Sequence, residues 1–159
     1  MSIIGITGYK RSGKDSVASA LAVHQFERVA FADALKSMAL AIDPQVSTRG
    51  SRLIPFNAGY APLTKVVNRY GWEVAKSAPQ VREFLQRLGT EGVREHLGEN
   101  AWVQALELKL VDGKNYAVAD CRFPNEVAWV KSEILGVVCE VSTHCARDHV
   151  SAVSAALRK

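Results

Sequence analysis

Near the amino end the chain reads SIIGITG (residues 2–8), apolar at nearly every position and rich in β-branched side chains. Such a short, unbroken run predicts a strand buried on both faces, as in a parallel sheet. DSVASALAVH follows, with Val17, Ala18, Leu21 and Ala22 on one face of a predicted helix. ERVAFAD (residues 27–33) reads as a second strand ending in a carboxylate, and ALKSMALAI as a helix. From 43 to 78 the periodicity loosens under Pro44, Pro55, Gly59, Pro62 and Gly71, with one short helix near LTKVVNRYG.

Val81, Phe84, Leu85 and Leu88 then fall at i, i+3, i+4 and i+7, an amphipathic helix with Pro79 near its start. TEGVREHLGENAWVQALELKL continues helical in two pieces, stopped by Gly98 and recapped by Asn100. NYAVADCRFPNEV returns to a strand over Tyr116–Cys121, and Pro124 opens a helix. GVVCEVS reads as another buried strand and DHVSAVSAALRK as a terminal helix. Strands alternating with helices predict an α/β fold with a mainly parallel sheet flanked by helices. One domain is expected, its core over about 1–36 and 112–159, with a helical insertion over about 37–111.

Composition narrows the class without naming it. The chain has 159 residues, 48% of them hydrophobic and 23% charged, which suits a single folded domain rather than disorder or a coiled coil. The net charge of +4 leaves two readings, scattered surface charge or a phosphate-rich ligand. A nucleic-acid footprint needs clustered basic residues. The densest group here is Lys10, Arg11 and Lys14, inside a glycine turn, so no stable nucleic-acid binding is expected. Three cysteines with no C-x-x-C spacing, no leader segment and no long apolar run predict a protein of a reducing cytoplasm that does not engage a membrane.

Four groups of residues carry candidate chemistry. Gly8 to Ser16 (GYKRSGKDS) satisfies G-x-x-x-x-G-K between a strand and a helix, a turn whose amides can cradle phosphate. Gly8, Lys10, Arg11, Ser12, Gly13, Lys14, Asp15 and Ser16 are its candidate phosphate-binding residues. Asp15 stands where a metal-binding hydroxyl is expected, and Ser16 supplies one a position later. Asp15 is either an acceptor on the metal side or a first-turn acid favoured by the helix dipole. Asp33, with Lys36 beyond it, either orients a phosphate acceptor or caps the next helix. Asp120 reads as a metal acid at a strand end beside Arg122, a cation for a transferring phosphoryl group, or as an ordinary acid–base pair. Arg82, Arg87 and Arg94 are either a solvated face or cations for an acceptor phosphate. Trp72 and Trp102 either stack on a base or pack in the core.

GYKRSGKDSVA, FADALK, GWEVAK, REFLQRLGTEGVREHLGENAWVQAL and DCRFPNEV together resemble the bacteriophage deoxynucleoside monophosphate kinases, from the first strand to about Val141. The S-G-K-D variant of the loop is itself a trait of that family. The resemblance implies a P-loop kinase fold binding ATP and Mg²⁺, in a host-cell cytoplasm if phage-encoded. It places Gly8 to Ser16 on the ATP phosphates and Asp33, Lys36, Arg82, Arg87, Arg94 and Trp102 around the acceptor. Asp120 and Arg122 fall near the phosphates, with Asp15, Ser16 and Asp120 as metal-side oxygens. RDHVSAV departs from a D-H-x-S-E segment of such kinases at Ala152, so Asp148 and His149 receive no role.

The expected activity is therefore ATP-dependent conversion of deoxynucleoside monophosphates to diphosphates, with Lys14, Arg122 and Asp33 as the central side chains. A P-loop kinase of another small metabolite, such as a phosphomevalonate-like or dephospho-coenzyme-A-like acceptor, is the nearest alternative. A non-catalytic nucleotide-binding protein is the alternative from another class. Homodimerisation stays open.

Overall fold

The computed structural model describes residues 1–9, 12–49, 51, 53, 59–133 and 136–141. The described chain begins with β1 (Ser2–Thr7), α1 (Lys14–Ala22), β2 (Phe26–Val29) and α2 (Phe31–Ile42). β3 (Gln45–Ser47), β4 (Tyr60–Pro62), α3 (Leu63–Ala75) and α4 (Pro79–Arg87) follow. A π-helical segment, Leu88–Arg94, leads into the short α5 (Glu95–Leu97) and then α6 (Ala101–Glu107). β5 (Asn115–Val118), α7 (Pro124–Ser132) and β6 (Gly136–Glu140) come last.

The protein is α/β, with a parallel central sheet flanked by helices. Among the described residues its four strands lie in the order β2-β5-β1-β6, and every pairing is parallel. The described residues of 1–32 and 102–141 form one compact unit around this sheet, and those of 33–101 form a second. In the first unit Ile4, Ile6, Val17, Ala18, Leu21, Phe26, Ala117, Ala119 and Val141 make a continuous core. α1 packs on β1, β2 and β5, and α7 on β1 and β6. Complete burial of Ile3 and Ile6, both at 0% exposure, contributes about 1.5–3 kcal/mol each. The β-branched run of β1 is thus a central strand covered on both faces, as its sequence predicts. Ala22 falls outside the predicted apolar face; it is exposed, because α1 ends there. β6 also differs from the expected buried strand: it is the last strand of the order, and Val137 is 56% exposed.

The second unit holds a small antiparallel sheet that the loosened pattern of 43–78 conceals. Val46 pairs with Ala61 and Ser47 with Tyr60, and Val46 is buried with Leu63, Val66, Ala75, Ala78, Val81 and Leu85. Three-residue strands are too short to show a period of two. Asp43 fixes the start of α3, its two carboxylate oxygens accepting the Thr64 amide at 2.8 Å and the Thr64 hydroxyl at 2.9 Å. Pro79 opens α4 as expected. The helix runs through Gly89 rather than stopping, but as a π turn; a Cβ on Gly89 would come within 3.2 Å of Leu35. Gly98, at φ 96°, ends α5 where the sequence predicts a stop. The predicted terminal helix lies outside the described residues.

Candidate functional site

β1 and β5 are neighbouring parallel strands, so the loop after β1 and the turn after β5 leave the same edge of the sheet. In open parallel sheets that carboxyl edge is where ligands bind. The described part of the first loop is built around glycine. Gly8 has φ 143°, and a Cβ there would lie 2.4 Å from the Val141 carbonyl oxygen and 2.9 Å from Ser12 Oγ. Gly13, in the left-handed region at φ 94°, precedes α1 with no side chain capping the helix. The Ser12 amide donates to the Tyr9 carbonyl at 3.2 Å, closing a turn. The α1 N-terminus therefore meets a tight loop of backbone, with its positive dipole end turned to it.

Two side chains in this loop are chemically distinctive. Ser12 is buried at 4% exposure, yet among the described residues its Oγ has no hydrogen-bond partner. Leaving such a hydroxyl unpaired costs on the order of 1–3 kcal/mol. Lys14 folds back on the loop, its Nζ donating to the Gly8 carbonyl at 2.8 Å and to the Tyr9 carbonyl. A cation held by neutral carbonyls is available to an anion that offers stronger acceptors. Lys10 and Arg11 lie outside the described residues.

Asp15 does not face this loop alone. Its Oδ1 accepts from Arg28 of β2 at 3.2 Å, with the two side chains 85% and 44% exposed. The acid beside the lysine is thus partly neutralised from the neighbouring strand, in the first turn of α1 where the dipole also favours it. Ser16 is exposed one position further on.

The turn after β5 is organised differently. β5 ends at Val118, and Asp120 lies two residues beyond rather than on the strand. Its two carboxylate oxygens accept the amides of Phe31, at 2.8 Å, and Ala32, at 2.9 Å, anchoring the start of α2. Cys121 is buried beside it, and burial together with the neighbouring Asp120 and Glu126 charges pushes its thiol up to about 12. Arg122 is exposed, and among the described residues its guanidinium has no partner. Glu126, which sequence reasoning did not single out, is buried at 2% exposure, and its Oε2 accepts the amides of Arg122 (2.7 Å) and Phe123 (3.1 Å). The signal was present in the sequence: Pro124 at a helix start with an acid two residues later is half of a capping box.

The remaining candidates divide between the two units. Trp102 belongs to the first unit and is buried, at 5% exposure, as a core side chain. Asp33, Lys36, Arg82, Arg87 and Arg94 belong to the second. Asp33 is not at a strand end as expected; β2 stops at Val29, and Asp33 sits in the first turn of α2, paired with Lys36 at 3.1 Å. The aromatic and alanine-rich FADAL segment propagates helix, so the strand closes earlier than its apolar run suggests. Arg87 pairs with Glu91 at 3.2 Å, both more than half exposed. Arg94 donates to the Glu99 carbonyl at 3.4 Å and Arg82 to the Lys76 carbonyl at 3.4 Å.

Among the described residues no group of three or more His, Cys, Asp or Glu side chains gathers as a metal cluster, and no helix is long and apolar enough to cross a membrane. No family model matches the chain, and no curated protein matches it.

Proposed function

We propose that the chain is a P-loop kinase that transfers the γ-phosphoryl group of ATP to a deoxynucleoside monophosphate. The observation that carries this reading is the loop between β1 and α1. Among the described residues it combines a glycine that tolerates no Cβ, a buried hydroxyl without a partner, a lysine resting on loop carbonyls and an uncapped helix N-terminus. Those features fit a tetrahedral oxyanion, which would satisfy Ser12 Oγ, draw Lys14 off its carbonyls and occupy the dipole end. The resemblance of GYKRSGKDSVA and DCRFPNEV to the phage kinases supports the same assignment.

In the proposed reaction an oxygen of the acceptor phosphate forms a bond to the γ-phosphorus. The bond from that phosphorus to the β–γ bridging oxygen breaks, and ADP departs with the electron pair. The acceptor phosphate is already ionised at neutral pH, so no strong base is needed, and Asp33 with Lys36 orients rather than deprotonates. Lys14 and the loop amides hold the donor phosphates, and Arg122 offsets charge that builds on the transferring group. Arg82, Arg87 and Arg94 of the second unit are assigned to the acceptor. Mg²⁺, when bound, would screen the donor phosphates; it commonly takes only one or two protein oxygens. Ser16 is an exposed hydroxyl two positions beyond the lysine, and Asp15 between them shares its Oδ1 with Arg28, whereas both oxygens of Asp120 hold amides.

A coupled ADP-release assay across the deoxynucleoside monophosphates tests the reading. Turnover with at least one of them is expected, and Lys14→Ala should lower it by about 10²–10³-fold with the folded signal kept. Turnover only on a phosphorylated metabolite would replace the acceptor, and undiminished turnover in Lys14→Ala would remove the loop from the mechanism.

A further inference from the structure

We infer that Glu126 is a positioning residue for Arg122: its buried carboxylate fixes the backbone from which the free guanidinium projects. The inference rests on the kinase reading, in which Arg122 meets the transferring phosphoryl group. A carboxylate at 2% exposure is costly to bury unless hydrogen bonds compensate it. Here one oxygen takes two adjacent amides, those of Arg122 and Phe123. These are the last donors before the helix, because Pro124 at its first position has none. Phe123 stays extended, at φ −106° and ψ 149°, while its carbonyl accepts the Val127 amide at 3.1 Å and starts the helical ladder.

The other flank of Arg122 is held as firmly. Cys121 is buried at 2% exposure, and Asp120 grips the amides of Phe31 and Ala32. Residue 122 is thus an exposed arginine between two anchored carboxylates. Its side chain is uncommitted among the described residues while its main chain is not. An arginine carried this way loses less freedom on meeting an anion than one on a loose loop, and displacement by an ångström is enough to cost turnover. A mere helix cap would stabilise α7 without any reference to Arg122; a positioning group must act through it.

The experiment is a double-mutant cycle on the full chain, with ADP release and affinity for a non-hydrolysable ATP analogue as readouts. Glu126→Ala should lower kcat and kcat/KM together by about 10–100-fold, with analogue affinity held within about twofold. Glu126→Gln, which keeps a carbonyl acceptor, should recover most of the loss. Glu126→Ala in an Arg122→Ala background should cost nothing further. If Glu126→Ala does not fold, the cycle is run with Glu126→Gln, whose smaller loss must likewise vanish without Arg122. Losses that add in the double variant, or a Glu126→Ala enzyme of full activity, would overturn the inference and leave the kinase reading standing. A parent chain with no phosphoryl transfer to any acceptor would overturn both.

Discussion

The loop after β1 and the turn after β5 leave neighbouring strands on one edge of the sheet, yet they treat their polar groups in opposite ways. In the turn after β5 both acids are committed: Asp120 to the amides opening α2, Glu126 to those preceding α7. In the loop after β1 a buried hydroxyl has no partner among the described residues and a lysine settles for carbonyls. Satisfied polar networks make a rigid support; an unsatisfied buried group needs an explanation, which the proposed function supplies as an arriving phosphate. Under the proposed function, the difference separates a holder from a receiver within a few residues of the same sheet edge.

The contrast can be broken from either side. The largest effect belongs to Gly8→Ala. A methyl there meets the Val141 carbonyl oxygen at 2.4 Å in a conformation side chains rarely adopt, so about 3 kcal/mol of stability should be lost, together with nucleotide affinity. Urea denaturation checks it; an unchanged midpoint would mean that the loop opens freely. Asp120→Ala comes next, at about 2 kcal/mol, because it strands two amides at the start of α2. Thermal melting of this variant beside Asp120→Asn, which keeps one acceptor, should rank the alanine lower; equal melting would deny the anchoring role.

A smaller effect is confined to alkaline pH. Burial, with the Asp120 and Glu126 charges, raises the Cys121 thiol from 9.0 to about 12 in the folded chain. The unfolded chain then releases its thiol proton first, so stability is flat below pH 9 and falls as pH rises from there toward 12. The fall should be shallower in Cys121→Ala when midpoints are compared between pH 8 and pH 10.5; parallel curves would refute the shift. Least of all, Arg28→Ala should change stability by no more than about 0.5 kcal/mol, since its pair with Asp15 is open to solvent. Its interest lies in nucleotide affinity, which should weaken once Asp15 faces the loop uncompensated; affinity that holds or improves would show that Arg28 does not shield the phosphates.

Much of this architecture was legible in the sequence, for physical reasons. β1 announces itself because a strand covered on both faces must be apolar throughout, and α4 because its buried positions keep a helical period. The glycine turn is legible because Gly8 and Gly13 both adopt positive φ, which side chains rarely do. What escaped detection depends on contacts distant in sequence. β3 and β4 are three residues each and hold together only after Val46 meets the core of the second unit. Asp33 looked like a strand terminus because Ala30 and Phe31 are buried in either reading. Arg28 as the partner of Asp15 required knowing that β2 runs beside α1. Glu126 was not singled out, because a capping pattern does not reveal burial, and burial is what makes it a support rather than a surface ornament.

The π turn at Leu88–Arg94 has a consequence for the arginines that flank it. Winding to the fifth neighbour accommodates one residue more than an ordinary helix of the same rise. Deleting Gly92 would let the segment rewind as an ordinary helix while everything beyond it kept close to its present bearing. Rewinding without that deletion would instead carry Arg94 and His96 about 100° around the axis while Arg82 and Arg87 stayed put. The number of residues in that coil, and not only their identity, sets which positive charges look the same way.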